Sequence, residues 1–201
     1  MANYNLAGVY DMLLFPFLRK LRDITAQKIL QYKPESLIDI CCGTGNQLKH
    51  LTNKGIGLTG IDNSPQMLKN AKGLNCYLQD ATDIKLPEES FDMALIQLAL
   101  HEKTPDIQQK IVSEIYRIVK KDGYFFIVDY EIGKHTQKPA KYIIYAIEYM
   151  AGKEHYRNFK LYHKNGCLKN LIQKNQFIAI EKQYIAGGAM AITIFKKRFD
   201  R

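Results

Sequence analysis

Short runs of β-branched and apolar residues alternate with helix-length segments from residue 36 onward. The predicted strands are Ser36 to Cys42, Ile56 to Ile61, Asn75 to Gln79, Phe91 to Gln97 and Tyr124 to Asp129. Nearly all of them are apolar on both faces, as is typical of strands covered by helices on both sides. The alternation predicts an α/β fold with a doubly wound, mostly parallel sheet.

The C-terminal part departs from this alternation. Phe177 to Ile185 and Met190 to Lys197 are strand-like runs joined by a short glycine-containing connection, which predicts an antiparallel hairpin and brings the sheet to seven strands. An insertion after residue 130 has helical periodicity around Ala140 to Met150, and a helical arm precedes the first strand. Ligands of open α/β sheets bind beyond the carboxyl ends of the strands, where an arm and an insertion can close over a pocket.

We therefore predict a single domain of 201 residues with four parts. They are an N-terminal helical arm (1–33), a cofactor-binding core (34–130), a helical lid insertion (131–165), and a C-terminal helix with the hairpin (166–201). The chain is 46% apolar and 24% charged, which suits one globular domain with a sizeable core.

Composition excludes several classes of protein. The longest uninterrupted apolar run, Met12 to Leu18, contains Pro16 and is far shorter than the about 20 residues of a transmembrane helix. No secretory leader is visible, so we expect a cytoplasmic protein. The four cysteines form no CxxC pair or zinc-finger spacing, and we predict free thiols and no metal site.

The net charge of +9 is unevenly distributed. Residues 131–201 hold 14 basic and 5 acidic side chains, whereas residues 34–130 hold 10 basic and 13 acidic ones. This segregation either indicates an anionic partner, such as an acidic substrate, a phospholipid surface or nucleic acid, or reflects a solvated lysine-rich face.

Acidic residues and a glycine turn follow the predicted strands. Asp39 precedes the turn that contains Gly43 and Gly45, and such a turn presents backbone amides to a closely bound ligand. The dinucleotide fingerprint would need Gly or Ala at Leu48, which argues against NAD or FAD. No Gly-Lys-Ser/Thr of a phosphate-binding loop follows either.

Two further acidic residues end the second and third strands. The Asp62 carboxylate can accept hydrogen bonds from both hydroxyls of a ribose, or it can be an ordinary acid at a helix N-terminus. Asp80 can accept from an adenine amino group while the amide of Ala81 reaches a ring nitrogen, or it can be a plain turn residue.

These motifs, in this order, resemble the class I S-adenosylmethionine-dependent methyltransferases. The resemblance also includes Gly60-Ile61-Asp62, Ser64-Pro65, Leu86-Pro87 and Lys121-Asp122-Gly123, and it covers about half of the chain. It implies a Rossmann-like methyltransferase fold, S-adenosylmethionine as the cofactor and S-adenosylhomocysteine as the product.

The resemblance assigns cofactor-binding roles to individual positions. Asp39, Gly43 and Gly45 would hold the methionine part, Asp62 with Asn63 the ribose, Asp80 and Ala81 the adenine, Met67 the apolar edge of the base, and Gln97 and Leu98 the sulfonium side. Tyr10, in the pair Tyr10-Asp11, resembles the arm of quinone-type methyltransferases that closes the cofactor site. Cys41 stands where the family usually carries glycine, and its side chain reduces the room near the methionine tail.

Methyl transfer is an in-line displacement that mainly requires alignment of the reactants and exclusion of water. His101, just beyond the fourth strand, is the candidate general base, and a helix cap or pocket wall is the alternative. The insertion supplies the candidate acceptor-binding residues Tyr145, Tyr149, His155, Tyr156, Arg157 and Tyr162. Alternatively, Tyr142, Tyr145, Tyr149, Ile143, Ile144 and Ile147 form the core stripe of a helix.

Three classes of function remain at this stage. The favoured one is a methyltransferase for a small or amphipathic acceptor, anionic or lipid-like, with contact to a membrane surface as an option for the basic arm. The second is a nucleic-acid or protein methyltransferase, which the basic C-terminal third favours. The third is a regulator that binds S-adenosylmethionine without catalysis.

Overall fold

A computed structural model describes residues 7–172 and 177–198, with side chains from residue 16 onward. The strands are β1 (Ser36–Ile40), β2 (Gly57–Asp62), β3 (Cys76–Leu78), β4 (Phe91–Gln97), β5 (Val119–Tyr130), β6 (Phe177–Ile185) and β7 (Met190–Lys197). The helices are α1 (Ala7–Gln31), α2 (Asn46–Leu51), α3 (Pro65–Leu68), α4 (Pro105–Ile118), α5 (Lys138–Met150), α6 (Lys153–Lys164) and α7 (Leu168–Leu171).

The seven strands form one sheet in the order β3-β2-β1-β4-β5-β7-β6. The first five strands pair in parallel, and β7 pairs antiparallel with both β5 and β6. The predicted α/β class and the antiparallel C-terminal hairpin are confirmed, with the predicted bounds of both hairpin strands. A 3-10 turn at Ala186–Gly188 joins these strands.

The bounds of β1, β2, β3 and β5 differ from the prediction, and the two largest differences have identifiable reasons. β1 ends at Ile40 because Cys41 takes φ +59°, a left-handed conformation that a strand cannot contain. β5 begins at Val119, five residues before the predicted start at Tyr124, because Val119 already pairs with Phe91 of β4 before the register shifts.

The insertion folds into two helices, α5 and α6, where the periodicity predicted one. Gly152, with φ +121°, separates them and lets the chain reverse. The C-terminal helix is the short α7 alone.

The core lies on both faces of the parallel strands. β1, β4 and the second half of β5 are almost entirely buried, and α4 buries Ile111, Val112, Ile115 and Ile118 against the sheet. The arm is anchored at its C-terminal end, because Glu181 of β6 accepts from Lys28 at 2.6 Å and from the hydroxyl of Tyr32 at 2.9 Å. Within residues 7–172 and 177–198, no helix is long and apolar enough to cross a membrane.

Candidate active site

The loop between β1 and α2 is built on left-handed residues. Gly43 has φ +55° and Gly45 has φ +68°, conformations that glycine adopts without a steric cost. A Cβ at Gly45 would also collide with the side-chain end of Leu74, so a substitution at this position requires Leu74 to shift. Cys41, at φ +59°, takes the same conformation with a side chain.

Asp62, the last residue of β2, fixes this loop. Its Oδ2 accepts a hydrogen bond from the amide of Gly43, and its Oδ1 accepts one from the amide of Ser64, both at 2.8 Å. The Ser64 side chain in turn accepts from Met67 N and caps α3, as Ser64-Pro65 predicts. The carboxylate thus joins the ends of β1 and β2 at one edge of the sheet.

A cleft opens at this edge beyond the ends of β2 and β3. Its lining includes Asp62, Asn63, Asp80 and Ala81, four of the residues predicted to bind the cofactor. The other lining residues are Cys41, Gln79, Thr82, Lys103, Ile107, Lys110 and Ile111. Hydrogen bonds from the Thr82 amide and hydroxyl lower the pKa of Asp80, so this exposed carboxylate stays ionised and able to accept.

Asp39 lies under the loop and is only 3% exposed. Burial, and secondarily the charge of Asp62, raises its pKa to about 8. An ammonium group close to this carboxyl would favour its ionised form. Asp39 therefore has the chemistry to bind the amino group of an amino-acid ligand.

Met67, Gln97 and Leu98, which were also predicted to bind the cofactor, are not part of the lining of this cleft. Met67 is 39% exposed on α3, and Leu98 takes φ +54° directly after β4. The Oε1 atom of Gln97 is buried, and none of the described residues donates a hydrogen bond to it. Tyr10 lies in α1, but its side chain is outside the described part of the chain.

Comparisons with known proteins agree with this geometry. Residues 38–127 match the family described as a methyltransferase domain. The chain is 31% identical to the uncharacterized methyltransferase sll0829 of Synechocystis sp. over 79% of this chain and 74% of that protein. The chain belongs to the class I S-adenosylmethionine-dependent methyltransferases.

Two further similarities bear on fold and relatives of this methyltransferase. A crystal structure of a SAM-dependent methyltransferase from Archaeoglobus fulgidus superposes with a TM-score of 0.60, at 19% identity over 92% of this chain and 99% of that chain. The demethylmenaquinone methyltransferase of Thermotoga maritima is 28% identical over 62% of this chain and 58% of that protein.

The cofactor of this methyltransferase is S-adenosylmethionine, and the chemistry of the donor set at the sheet edge fits it. The cleft between Asp62 and Asp80 suits an adenosine, and the Gly43 loop with Asp39 beneath it suits the amino-acid end. When bound, the cofactor supplies a sulfonium methyl group. The individual contacts of these residues with the cofactor stay predictions.

A buried polar cluster lies next to this cleft. His101 is 3% exposed, and its Nδ1 lies 2.6 Å from Oδ1 of Asp129, at the end of β5. Burial alone lowers the pKa of His101, but the charge and hydrogen bond of Asp129, followed by the charges of Glu148 and Glu102, raise it to about 9. Nε2 of His101 lies 3.3 Å from Nε2 of His155 on α6, on the side away from Asp129.

A second cleft, of about 640 Å³, opens beside the cofactor cleft and shares Lys103 and Ile107 with it. His155 and Asn158 of α6 line it, together with Glu102, Thr104 and the segment from Ala151 to Glu154. We call this space the acceptor cleft. Asn158 donates to the carbonyl of Glu102 at 2.8 Å and so joins α6 to the loop after β4.

The predicted acceptor-binding residues occupy different environments. His155 lines the acceptor cleft, whereas Tyr145 and Tyr156 pack on Phe159 between α5 and α6. Tyr149 and Arg157 lie on the outer surface. Tyr149 is 70% exposed, and the side chain of Arg157 is also 70% exposed.

The structure corrects the prediction for Tyr162. The residue is 2% exposed, its hydroxyl donates to the carbonyl of Tyr130 at 3.2 Å, and its ring borders a separate cleft beside α4. It is therefore part of the core and does not reach the acceptor cleft.

Sequence reasoning missed Asp129, Glu148 and Glu102, which surround His101. A carboxylate at the end of β5 and a single glutamate in the apolar helix α5 were the available signals. Their importance depends on the position of His101, which the order of residues along the chain does not reveal.

Proposed function

We propose that this methyltransferase acts on a small amphipathic acceptor, with the polar group of the acceptor in the acceptor cleft and its apolar body over α5. The observation that carries the proposal is the position of the acceptor cleft, which shares Lys103 and Ile107 with the cofactor cleft. A volume of about 640 Å³ lies within the usual range of about 300 to 1,000 Å³ for small-molecule sites.

The outer face of α5 supports an acceptor with an apolar part. Tyr142, Ile143, Tyr149 and Met150 are each between 58% and 70% exposed. This face ends at Met150, next to Ala151 of the acceptor cleft. Contiguous exposed apolar side chains indicate an interaction site. The named relative from Thermotoga maritima, a demethylmenaquinone methyltransferase, is consistent with such an acceptor.

The residues of this chain serve the reaction mainly by placement. The Gly43 loop and the carboxylates of Asp62 and Asp80 orient the donor, and the adjoining acceptor cleft brings the nucleophile to the shared boundary. Asn158 and Ile107 form part of the wall of the acceptor cleft. His101, which faces His155 rather than the cleft, acts in this proposal as a positioning residue for His155.

A labelling experiment tests the acceptor class. The protein is incubated with S-adenosylmethionine carrying a labelled methyl group and a panel of hydroxylated naphthoquinones with no tail or a prenyl tail, RNA, DNA and a lysine-rich protein. We expect label in the organic phase and faster transfer to the tailed acceptors. Label confined to the RNA, DNA or protein fraction would refute the proposal and support the nucleic-acid or protein alternative.

A matched pair of variants localises the acceptor. Ile107 and Ile178 are similarly exposed, at 38% and 44%, but only Ile107 belongs to the two clefts. We expect Ile107→Ala to raise KM for the tailed acceptor several-fold and Ile178→Ala to leave it unchanged. Equal behaviour of the two variants would contradict the assigned cleft. Cytoplasmic location and contact with a membrane surface stay predictions of the sequence.

A further inference from the structure

We propose that His101, Glu148 and His155 bind one divalent transition-metal ion at the inner end of the acceptor cleft. The three side chains come from the loop after β4, from α5 and from α6, and they converge on one point. The ion site is independent of the identity of the acceptor, whereas its role in catalysis rests on the proposed function.

The spacing of the three ligand atoms suits a common ion. His155 Nε2 lies 2.9 Å from Glu148 Oε2 and 3.3 Å from His101 Nε2, and His101 Nε2 lies 3.6 Å from Glu148 Oε2. Ligands at about 2.1 Å from one ion lie about 3.0 Å apart in an octahedral arrangement and about 3.4 Å apart in a tetrahedral one. The observed separations lie close to these values without rearrangement of the backbone.

Hydrogen bonds orient two of the three ligands, His101 and Glu148, toward the shared point. Asp129 holds Nδ1 of His101 at 2.6 Å, which places the proton on Nδ1 and directs the Nε2 lone pair at the other ligands. The Tyr130 hydroxyl donates to Oε1 of Glu148 at 2.7 Å. Oε2 of Glu148 is buried, and among the described residues none donates a hydrogen bond to it, although His155 Nε2 is nearby. Glu102 Oε2 lies 3.6 Å from Nδ1 of His155.

The charge of the pocket favours a cation. Asp129 and Glu148 are 1% and 2% exposed, and buried carboxylates are costly unless a positive charge compensates them. The neighbouring Lys103 is engaged with Glu102 at 2.6 Å. A proton on His101 compensates the negative charge of one carboxylate, whereas a divalent ion bound in place of that proton compensates the charges of both.

The ligand set selects the type of ion. Two imidazoles and one carboxylate suit Zn²⁺ and the other first-row transition ions, whereas Mg²⁺ and Ca²⁺ prefer oxygen ligands. The side chain of His155 is 27% exposed at the acceptor cleft, so the open coordination positions would face that cleft. An acceptor oxygen bound there would be oriented and polarised beside the cofactor cleft.

A titration with Co²⁺ tests the site on chelator-treated, full-length protein. Bound Co²⁺ has visible absorption bands that report the number and type of its ligands. We expect saturation at about one equivalent, bands of nitrogen and oxygen ligation, and displacement by Zn²⁺. An intense near-ultraviolet band of thiolate ligation, or no saturable binding, would overturn the proposal.

Variants assign the ligands. We expect His155→Ala and Glu148→Gln each to weaken Co²⁺ binding more than 100-fold, and Asp129→Asn to weaken it about 10- to 100-fold through the orientation of His101. His50→Ala is the matched control, because His50 also faces a carboxylate, Asp23 at 2.9 Å, but lies outside the cluster. Unchanged binding in His155→Ala, or an equal loss in His50→Ala, would overturn the assignment.

Calorimetry with S-adenosylhomocysteine accompanies each variant. Its affinity is expected to stay within about twofold of the wild-type value, which shows that the variants are folded and that the cofactor site is intact. Because this readout and the Co²⁺ spectrum do not involve an acceptor, they can support the ion site even if the amphipathic acceptor proves wrong.

Discussion

Single residues at the sheet edge have structural roles beyond those suggested by the sequence. Asp62 was predicted as a ribose ligand, and in the fold its two oxygens also accept from the amides of Gly43 and Ser64. Each oxygen retains a second lone pair for a ligand. The same carboxylate therefore shapes the glycine loop and faces the cofactor cleft.

Asp39 makes the stability of the protein dependent on pH. Its raised pKa, about 8, means that the folded state keeps the proton above the ordinary pKa of 3.8. The folded state then binds more protons than the unfolded one between about pH 4 and 8, so the contribution of Asp39 to stability falls as pH rises. We expect Asp39→Asn to gain stability relative to wild type from pH 5 to pH 8, measured by urea unfolding.

The difference in unfolding free energy between Asp39→Asn and the wild type isolates this effect, because the two proteins share all other titrating groups. Asp83→Asn is the control, since Asp83 is 66% exposed at its side chain. Its stability relative to wild type is expected to vary little over the same range. A parallel pH dependence of the two variants would contradict the role of Asp39.

Cys41 places a side chain where the family usually carries glycine. A non-glycine residue in a left-handed conformation destabilises the folded state by about 1 kcal/mol or more. Glycine destabilises it by about 0.5–1 kcal/mol, because it gives the unfolded chain more conformational entropy. These two effects oppose each other, so Cys41→Gly is expected to change the free energy of unfolding little. Removal of the side chain widens the cofactor cleft. We expect a several-fold higher affinity for S-adenosylhomocysteine by calorimetry.

Cys167→Gly is a suitable control for this prediction. Cys167 has a similar φ of +54° and lies outside the cofactor cleft. Its replacement is expected to leave the affinity unchanged. An affinity that is unchanged or lower in Cys41→Gly would show that the thiol does not restrict the site.

At the scale of elements, the β1–α2 loop depends on close packing as well as on backbone conformation. Gly45 and Gly73 both have positive φ, but an added Cβ collides with Leu74 only at Gly45 and meets open space at Gly73. An alanine in the left-handed conformation destabilises the fold by about 1–2 kcal/mol at either position. At Gly45 the collision adds about 1–3 kcal/mol. We expect Gly45→Ala to be the more destabilised variant in urea unfolding.

The same pair of variants reports on the site. Gly45→Ala is expected to weaken S-adenosylhomocysteine binding, because the loop must shift to accommodate the methyl group, while Gly73→Ala binds normally. Equal destabilisation of both variants would mean that Leu74 yields without cost.

Helix α5 shows where periodicity fails as a guide to burial. One interpretation of its pattern was a core stripe of tyrosines and isoleucines. Ile144 is buried, but Tyr142, Ile143 and Tyr149 are exposed, and the other buried position on this helix is Glu148, which is 2% exposed. Glu148 is buried because Tyr130 and the two histidines face it across the helix packing. Hydrophobicity alone cannot predict a buried carboxylate whose partners come from distant segments.

For the whole molecule, ligand binding and global stability are coupled. The candidate cofactor residues lie at the ends of β1, β2 and β3, so unfolding of the sheet would destroy the site. S-adenosylhomocysteine at 100 times its Kd should raise the free energy of unfolding by about 2.7 kcal/mol and Tm by about 5–10 °C. Thermal unfolding followed by circular dichroism measures this shift, and its absence at saturation would contradict a site formed by the sheet.

The sequence alone determined the α/β class, the hairpin bounds and the family, because alternation of apolar runs and ordered turn motifs are local features. It also placed Asp62, Asn63, Asp80 and Ala81 correctly at the ends of strands. Only the tertiary structure brought His101 together with Asp129, Glu148 and His155, and only it separated Tyr162 from the acceptor cleft. The reason is physical: strand-end positions follow from chain order in a parallel sheet, whereas contacts between a loop and two inserted helices depend on how those helices pack.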